Sequence, residues 1–316
     1  MIEKIFKEPI RIDGNFIKLI DNAKTENQNQ TKEVFSEKWL KYNQSEDKKK
    51  LYEMQKKWYL ELYGFSSEKE LARFLSTKKI IFDAGCGLGY KSKWFADLSP
   101  NSIVIGMDIS EACKIAAENY KNTKNLYFIQ GDISDAPFKK NSIDYVSCDQ
   151  VIMHTENPEK TFEHLVKITK EGGEFACYVY RKKALPRELL DEYFRTYCKK
   201  LTKEELWDMS EKLTELGKTL SELNIKIQVP DIPQLGIEGG EYDLQRFIYW
   251  NFIKCFWNEE LGWETSVATN FDWYSPSNAK RYDKEEFLRL VKNNKLDIIY
   301  FHEEKACFSG RFKKSE

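Results

Sequence analysis

The 316-residue chain is 41% hydrophobic and 32% charged, enough to bury a sizeable core inside a well-solvated surface, which excludes a disordered chain. Its 50 basic residues balance 51 acidic ones to a formal net charge of -1, so overall charge does not mark a nucleic acid as partner. Cysteine stands singly at 86, 113, 148, 177, 198, 255 and 307, an odd set with no CxxC pair, which fits reduced thiols in the cytoplasm. No charged-then-apolar signal pattern opens the chain. The densest apolar stretch, from Phe247 to Trp257, is interrupted by Asn251 and Lys254 and falls short of the ~20 residues of a membrane span. A soluble cytoplasmic protein without a membrane partner is expected.

Residues 1–76 read as a mostly helical, polar N-terminal extension, in which Phe35, Trp39 and Leu40 share one helix face. Ser67 with Glu70 forms a capping-box pattern ahead of Leu71, Phe74 and Leu75. From Lys78 the pattern becomes short apolar strands alternating with helices: strands at 80–82, 103–107, 126–130, 143–147 and 174–180, with helices between. Asn157 and Pro158 open one such helix, and Gly172-Gly173 stands where it should stop. Short apolar strands between helices predict a parallel sheet covered on both faces. Alternation ceases at Lys183. Beyond it lie a helix with Leu189, Leu190, Tyr193, Phe194 and Tyr197 on one side, a second helix through Leu206–Leu223, and a Gly/Pro loop over 229–240. An aromatic helix over 244–257, a loop holding Trp273 and Tyr274, a helix at 284–292 and a pair of strands at 296–301 and 307–312 follow.

The chemistry begins at Ile80-Ile81-Phe82-Asp83-Ala84-Gly85-Cys86-Gly87-Leu88-Gly89-Tyr90. A glycine-rich turn after a first parallel strand lets a nucleotide-bearing ligand approach the backbone. The spacing is GxGxG, and Tyr90 stands where a dinucleotide fingerprint needs a small residue. Asp83 before the turn would repel a pyrophosphate. Asp108 ends the second strand, where a carboxylate can accept both ribose hydroxyls, and Asp132 follows the third, within reach of an adenine amino group.

This constellation resembles the class I S-adenosylmethionine (SAM)-dependent methyltransferases. Asp83–Gly89 is similar to their first motif, Asp108 to their ribose acid, and Gly131-Asp132-Ile133 to their adenine-contacting motif. Ser142–His154 resembles the fourth-strand motif of the small-molecule branch. The resemblance is clear over 78–182 and weaker over 271–316, where Phe271–Pro276 is similar to members associated with glycan and secondary-metabolite pathways.

What the resemblance implies is a doubly wound, mostly parallel seven-stranded α/β sheet, with N-terminal helices (1–76), a core (77–184), a helical lid insertion after the fifth strand (185–280) and a closing helix and strands (281–316). It implies SAM held by Asp83, Gly85, Cys86, Gly87, Gly89, Asp108, Ile109, Asp132, Ile133 and Gln150. His154, Tyr180, Arg181 and Tyr274 are the candidates at the methyl-transfer site, on a small-molecule or glycan acceptor. His154 has an alternative as a helix cap, Arg181 as a surface residue, and the insertion as a homo-oligomer interface. Cys86 has no activating neighbour, and three histidines this far apart make no metal site. Competing classes are a SAM-binding partner without catalysis and a nicotinamide oxidoreductase, which Asp83 and Tyr90 disfavour. A nucleic-acid methyltransferase is disfavoured because the fourth strand runs into Cys148-Asp149-Gln150-Val151, not an Asn/Asp-Pro-Pro-aromatic motif.

Overall fold

A computed structural model describes residues 2–18, 26–44 and 48–315. A 3-10 turn (Ile2–Ile5) precedes strands β1 (Arg11–Asp13) and β2 (Phe16–Lys18), then helices α1 (Glu26–Gln44), α2 (Lys48–Leu62) and α3 (Glu68–Ser76). Strand and helix alternate next through β3 (Ile80–Ala84), α4 (Tyr90–Leu98), β4 (Ile103–Asp108), α5 (Ala112–Asn119) and β5 (Leu126–Gln130). The alternation continues with β6 (Ile143–Cys148), α6 (Pro158–Ile168) and β7 (Thr169–Arg181). Helices α7 (Leu185–Cys198) and α8 (Lys203–Glu222), strands β8 (Lys226–Val229) and β9 (Gly240–Asp243), and helices α9 (Leu244–Asn251) and α10 (Gly262–Tyr274) follow. The last elements are β10 (Arg281–Tyr282), α11 (Lys284–Asn293), β11 (Leu296–Glu303) and β12 (Cys307–Lys314). Contacts divide the chain into a sheet unit (Met1–Asn43, Tyr52–Arg181, Lys280–Glu316) and a helical unit (Gln44–Leu51, Lys182–Ala279).

In the sheet unit the strands lie in the order β1-β2-β5-β4-β3-β6-β7-β12-β11, with β10 beside the end of β7. β5, β4, β3, β6 and β7 run parallel, and the β11–β12 hairpin closes the sheet antiparallel to β7. Those strands are the expected doubly wound, seven-stranded core. Alternate residues explain the two covered faces. Phe82, Ile105, Val146 and Phe175 pack with Phe162 and Leu165 of α6 and Phe287 of α11. Ile81, Val104, Tyr145 and Ala176 pack with Tyr59 and Leu62 of α2, Leu71 of α3 and Phe95 of α4. The chain passes from β3 to β4 and β5 on one side, then returns to β6 and β7 on the other. Strand order thus reverses at β3, the kind of switch point at whose carboxyl ends open α/β sheets bind ligands.

Two local readings are corrected and one is extended. The N-terminal stretch is mostly helical as expected but adds two strands: β1 and β2 pair around the Asp13-Gly14-Asn15 turn, and β2 joins β5 in parallel, burying Ile17. Together with β10 they make the sheet ten-stranded. Helix α6 stops at Ile168 rather than at Gly172, because Thr169 already adopts extended backbone (φ -64, ψ 135) and β7 begins there. Ser67 accepts from the Glu70 N–H as anticipated, but the Glu70 carboxylate turns back to Ser66, one residue earlier.

The helical unit packs α8 against α10, where Trp207 and Phe271 stack at 3.8 Å. The aromatic helix is shorter than expected and ends at Asn251, since the chain turns to bring the Cys255 carbonyl to Gln245 Nε2 at 2.8 Å. Trp273 and Tyr274 lie on α10, not in a loop; Ser275 caps that helix ahead of Pro276. Helix α7 also reverses the expected face. Leu189, Tyr193 and Tyr197 are exposed, while Arg187, Asp191 and Arg195 are buried.

Candidate active site

The turn after β3 is built by backbone conformation. Gly85, Gly87 and Gly89 have φ of 84°, 51° and 74°, the left-handed region that side-chain-bearing residues avoid. Space is equally restrictive: a Cβ on Gly85 would meet Val151 Cγ2 at 2.2 Å, and one on Gly87 would meet Trp39 Cζ2 at 2.7 Å. Tyr90 opens α4 and stacks on Tyr52 at 4.2 Å, so this position packs a ring instead of admitting a pyrophosphate. The backbone donors point the same way. Gly85 and Cys86 donate to the Met107 carbonyl at 2.7 and 3.0 Å, and Gly89 donates to the Cys86 carbonyl. Gly87 donates to Asp108 Oδ2 at 2.8 Å. Four N–H groups of the turn are therefore engaged inside the protein, and no phosphate cradle is formed by them.

Beneath the turn lies a charge network that the sequence reading did not include. Lys91, in the first turn of α4, is buried between Asp83 at 3.1 Å and Asp149 at 3.4 Å. Ser92 Oγ donates to Asp83 at 2.6 Å and Tyr63 to Asp149 at 2.9 Å. Burial pushes the Asp83 carboxyl above its usual value against the pull of Lys91 and Ser92. Burial also pulls Lys91 down, but Asp83 and Asp149 outweigh it and hold the ammonium above its usual value. Asp83 is thus a strut under the turn, with both oxygens engaged. The signal available for Asp149 was its place just after β6; for Lys91 there was none, since a lysine in a first helical turn ordinarily faces water.

At the rim, Asp108 ends β4 with Oδ1 accepting from the Ser110 N–H and hydroxyl at 2.9 and 2.5 Å. Burial raises its carboxyl, opposed by these bonds and by Gly87. Asp132 is half-buried, accepting from Ser134 N–H at 2.8 Å to cap the turn that carries buried Ile133. The Ile109 carbonyl accepts from Gln130 Nε2 at 3.4 Å. Gln150 follows Asp149 with φ of 61°, a costly conformation for glutamine of the kind that clusters at ligand sites. Cys86 is buried, and burial raises its thiol far above the usual range, so it is no nucleophile. Helix α1 covers this edge: Trp39 sits on Gly87, Ser36 Oγ accepts from the Glu111 N–H at 3.1 Å, and Phe35 meets the His154 ring edge-on at 5.1 Å.

His154 and Tyr180 come together. The imidazole is buried, and its Nε2 lies 3.4 Å from the Tyr180 hydroxyl. Arg181 turns instead to the closing hairpin, pairing with Glu303 at 3.4 Å and lying over Phe308. Tyr274 belongs to the helical unit, where its hydroxyl donates to Asp191 and accepts from the Lys254 N–H. Among the described residues no group of His, Cys, Asp and Glu could hold a metal ion, and no helix is long and apolar enough to cross a membrane.

Of the carboxylates around the turn, Asp83 and Asp149 pair with Lys91, while Asp108 accepts from Gly87 and Ser110 and Asp132 from Ser134. That set of acidic acceptors, beside backbone N–H groups already spent, fits an adenosyl cofactor bearing an ammonium and a sulfonium. Residues 75–243 match the sequence model of the methyltransferase domain family. The chain belongs to that family, the class I SAM-dependent type that its glycine turn resembles. A demethylmenaquinone methyltransferase of Lactococcus lactis is 32% identical over 124 residues, spanning 36% of this chain and 48% of that protein. A sterol 24-C-methyltransferase of Schizosaccharomyces pombe is 26% identical over 102 residues, 31% of this chain and 27% of that one. The chain spans about half, or less, of the length of the curated relatives it matches. Among solved structures, a magnesium protoporphyrin IX methyltransferase from Synechocystis with bound SAH has a TM-score of 0.41 at 13% identity, covering 78% of this chain and 82% of that one.

Proposed function

We propose that the chain is an enzyme of the cytoplasm that transfers the methyl group of SAM to a small-molecule acceptor. The observation that carries this reading is the inward engagement of the turn's N–H groups beside the Asp108 carboxylate. In dinucleotide folds such groups serve a pyrophosphate. Here Gly87 braces an acid suited to ribose hydroxyls, and Gly85, Cys86 and Gly89 donate to backbone carbonyls. SAM, when bound, supplies a methyl on sulfonium, an excellent leaving group. The protein's part is to hold the acceptor in line, exclude water, and take a proton where the acceptor must lose one. His154 Nε2, paired with Tyr180, is the group we assign to that proton.

Acceptor recognition is assigned to the inserted segment 185–280, on the ground that it follows β7 directly in the chain. The relatives named for menaquinone and sterol substrates support a small organic acceptor; a glycan acceptor is the narrower alternative, supported by the resemblance of Phe271–Pro276.

Titration calorimetry with SAM, S-adenosylhomocysteine and NAD tests the reading. SAM and its product should bind and NAD should not. Asp108→Ala should weaken SAM by roughly ten- to a hundredfold, the ~1.5–3 kcal/mol of hydrogen bonds to a charged group. NAD binding without SAM binding, or an Asp108→Ala variant with unchanged SAM affinity, overturns it.

A further inference from the structure

Helix α7 is anchored from its inner side. Asp191 Oδ2 accepts from Arg187 Nε at 2.8 Å and from Trp273 Nε1 at 2.9 Å, and Oδ1 accepts from the Tyr274 hydroxyl at 3.0 Å. Phe194 lays its ring against Tyr274, with centroids 6.1 Å apart. Turning α7 about its own axis would strip a buried carboxylate of these donors, so the rotation of the helix is fixed.

The opposite side is therefore committed to the exterior. Leu185, Leu189, Tyr193 and Tyr197 recur every four residues and are 47%, 64%, 73% and 56% exposed. Single apolar residues scattered on a surface need no explanation, but a continuous row of them along one helix marks an interaction site. Glu192, Thr196 and Lys200, exposed at the same spacing, form a polar row beside it.

Area and pattern together point to the occupant. A fully exposed side chain of these types presents on the order of 150–250 Å², so the row offers ~450 Å² of surface per copy. A standard interface buries ~800 Å² per partner, of which ~56–65% is non-polar. The row thus matches the apolar part of one such interface, and the polar row beside it supplies rim. Four apolar side chains at even spacing also meet their own copy apolar on apolar about a two-fold axis, whichever way the helices run. A membrane is a poorer match. A helix lying on a lipid surface sets basic residues beside its apolar face, whereas α7 buries Arg187 and Arg195 and shows Glu192 next to the row.

We propose that this face of α7 is the interface with a second copy of the chain, formed about a two-fold axis with Leu189 and Tyr193 at its centre. The interface does not depend on the transferase reading.

Sedimentation velocity of the full chain tests the inference. Interfaces of this size dissociate in the micromolar range or below, so the chain should run as a dimer at roughly 50 μM. Leu189→Glu and Tyr193→Glu, both at exposed positions, should each weaken association at least tenfold and melt as the diluted parent does. Ile298→Glu, at the other exposed apolar patch, on β11, should leave the dimer intact. A parent that stays monomeric at that concentration overturns the proposal, whatever the variants do. So does a dimer indifferent to both α7 substitutions, or one that only Ile298→Glu dissociates. A monomer that co-sediments with phosphatidylcholine–phosphatidylglycerol vesicles, and no longer does so as Leu189→Glu, assigns the face to a membrane and overturns it as well.

Discussion

Lys91→Met replaces the buried ammonium by an apolar side chain of similar length and leaves Asp83 and Asp149 facing each other without it. Both ion pairs are short, at 3.1 and 3.4 Å, and the side chains are 7%, 0% and 7% exposed for Lys91, Asp83 and Asp149, so solvent screens little. Removing one partner of a buried pair costs about 3–5 kcal/mol. Two carboxylates lose their cation here, which places the variant at the upper end. The loss depends on pH in a definite direction. Burial already raises Asp83 above its unfolded value of 3.8, and Lys91 is the largest force opposing that rise. Without Lys91 the folded carboxyl rises further, and the folded state binds more protons than the unfolded one between 3.8 and that value. Stability of the variant therefore recovers as pH falls through this window, and the parent, in which Lys91 limits the rise of Asp83, shows a smaller recovery over a narrower one. Urea unfolding at several pH values measures both effects, and adding Asp149→Asn should restore part of the loss non-additively. A variant within about 1 kcal/mol of the parent at neutral pH would refute the reasoning.

Gly85→Ala should cost about 2–5 kcal/mol, the sum of ~1–2 for positive φ and ~1–3 for overlap with Val151. Gly172→Ala, at φ 72° with nothing within 4 Å of the added methyl, should show the first part alone; equal losses at both sites would show that Val151 yields freely. His154→Gln should lower turnover by about a hundredfold, with SAM affinity kept within about twofold. Tyr180→Phe should act in the same direction by a smaller factor, and unchanged turnover in both variants would remove the pair from proton transfer.

The sheet was legible wherever local pattern and fold agree. Ile80–Ala84 is buried throughout, and apolar except for Asp83, because β3 is covered on both faces, and such a run is what a central parallel strand looks like in sequence. β1 and β2 were not legible. Each is three residues long, and a run that short has no period to detect. The stop of α6 misled for a different reason. Glycines after a helix ordinarily end it, but Gly172, at φ 72°, serves a kink inside β7, and the register slip between β6 and β7 lies at the same place.

The site divides along the same line. Asp83, Asp108 and Asp132 were found because they sit at strand ends around a glycine spacing, and such positions are local. Lys91 and Tyr63 reach the network through tertiary placement, so nothing in their neighbourhood along the chain announces them. Helix α7 makes the limit sharper. Its Leu189, Tyr193 and Tyr197 stripe has the spacing of a packing face, and its charged stripe that of a solvated one, yet the fold buries the charges. Periodicity identifies the helix correctly and predicts the wrong face, because burial of Arg187 and Arg195 is decided by Asp191, Trp273 and Tyr274, the last two more than seventy residues away. A local rule broken at such energetic cost asks for a compensating interaction. Asp191 supplies it, accepting from Arg187 Nε, Trp273 Nε1 and the Tyr274 hydroxyl, so one buried carboxylate gathers donors from α7 and α10.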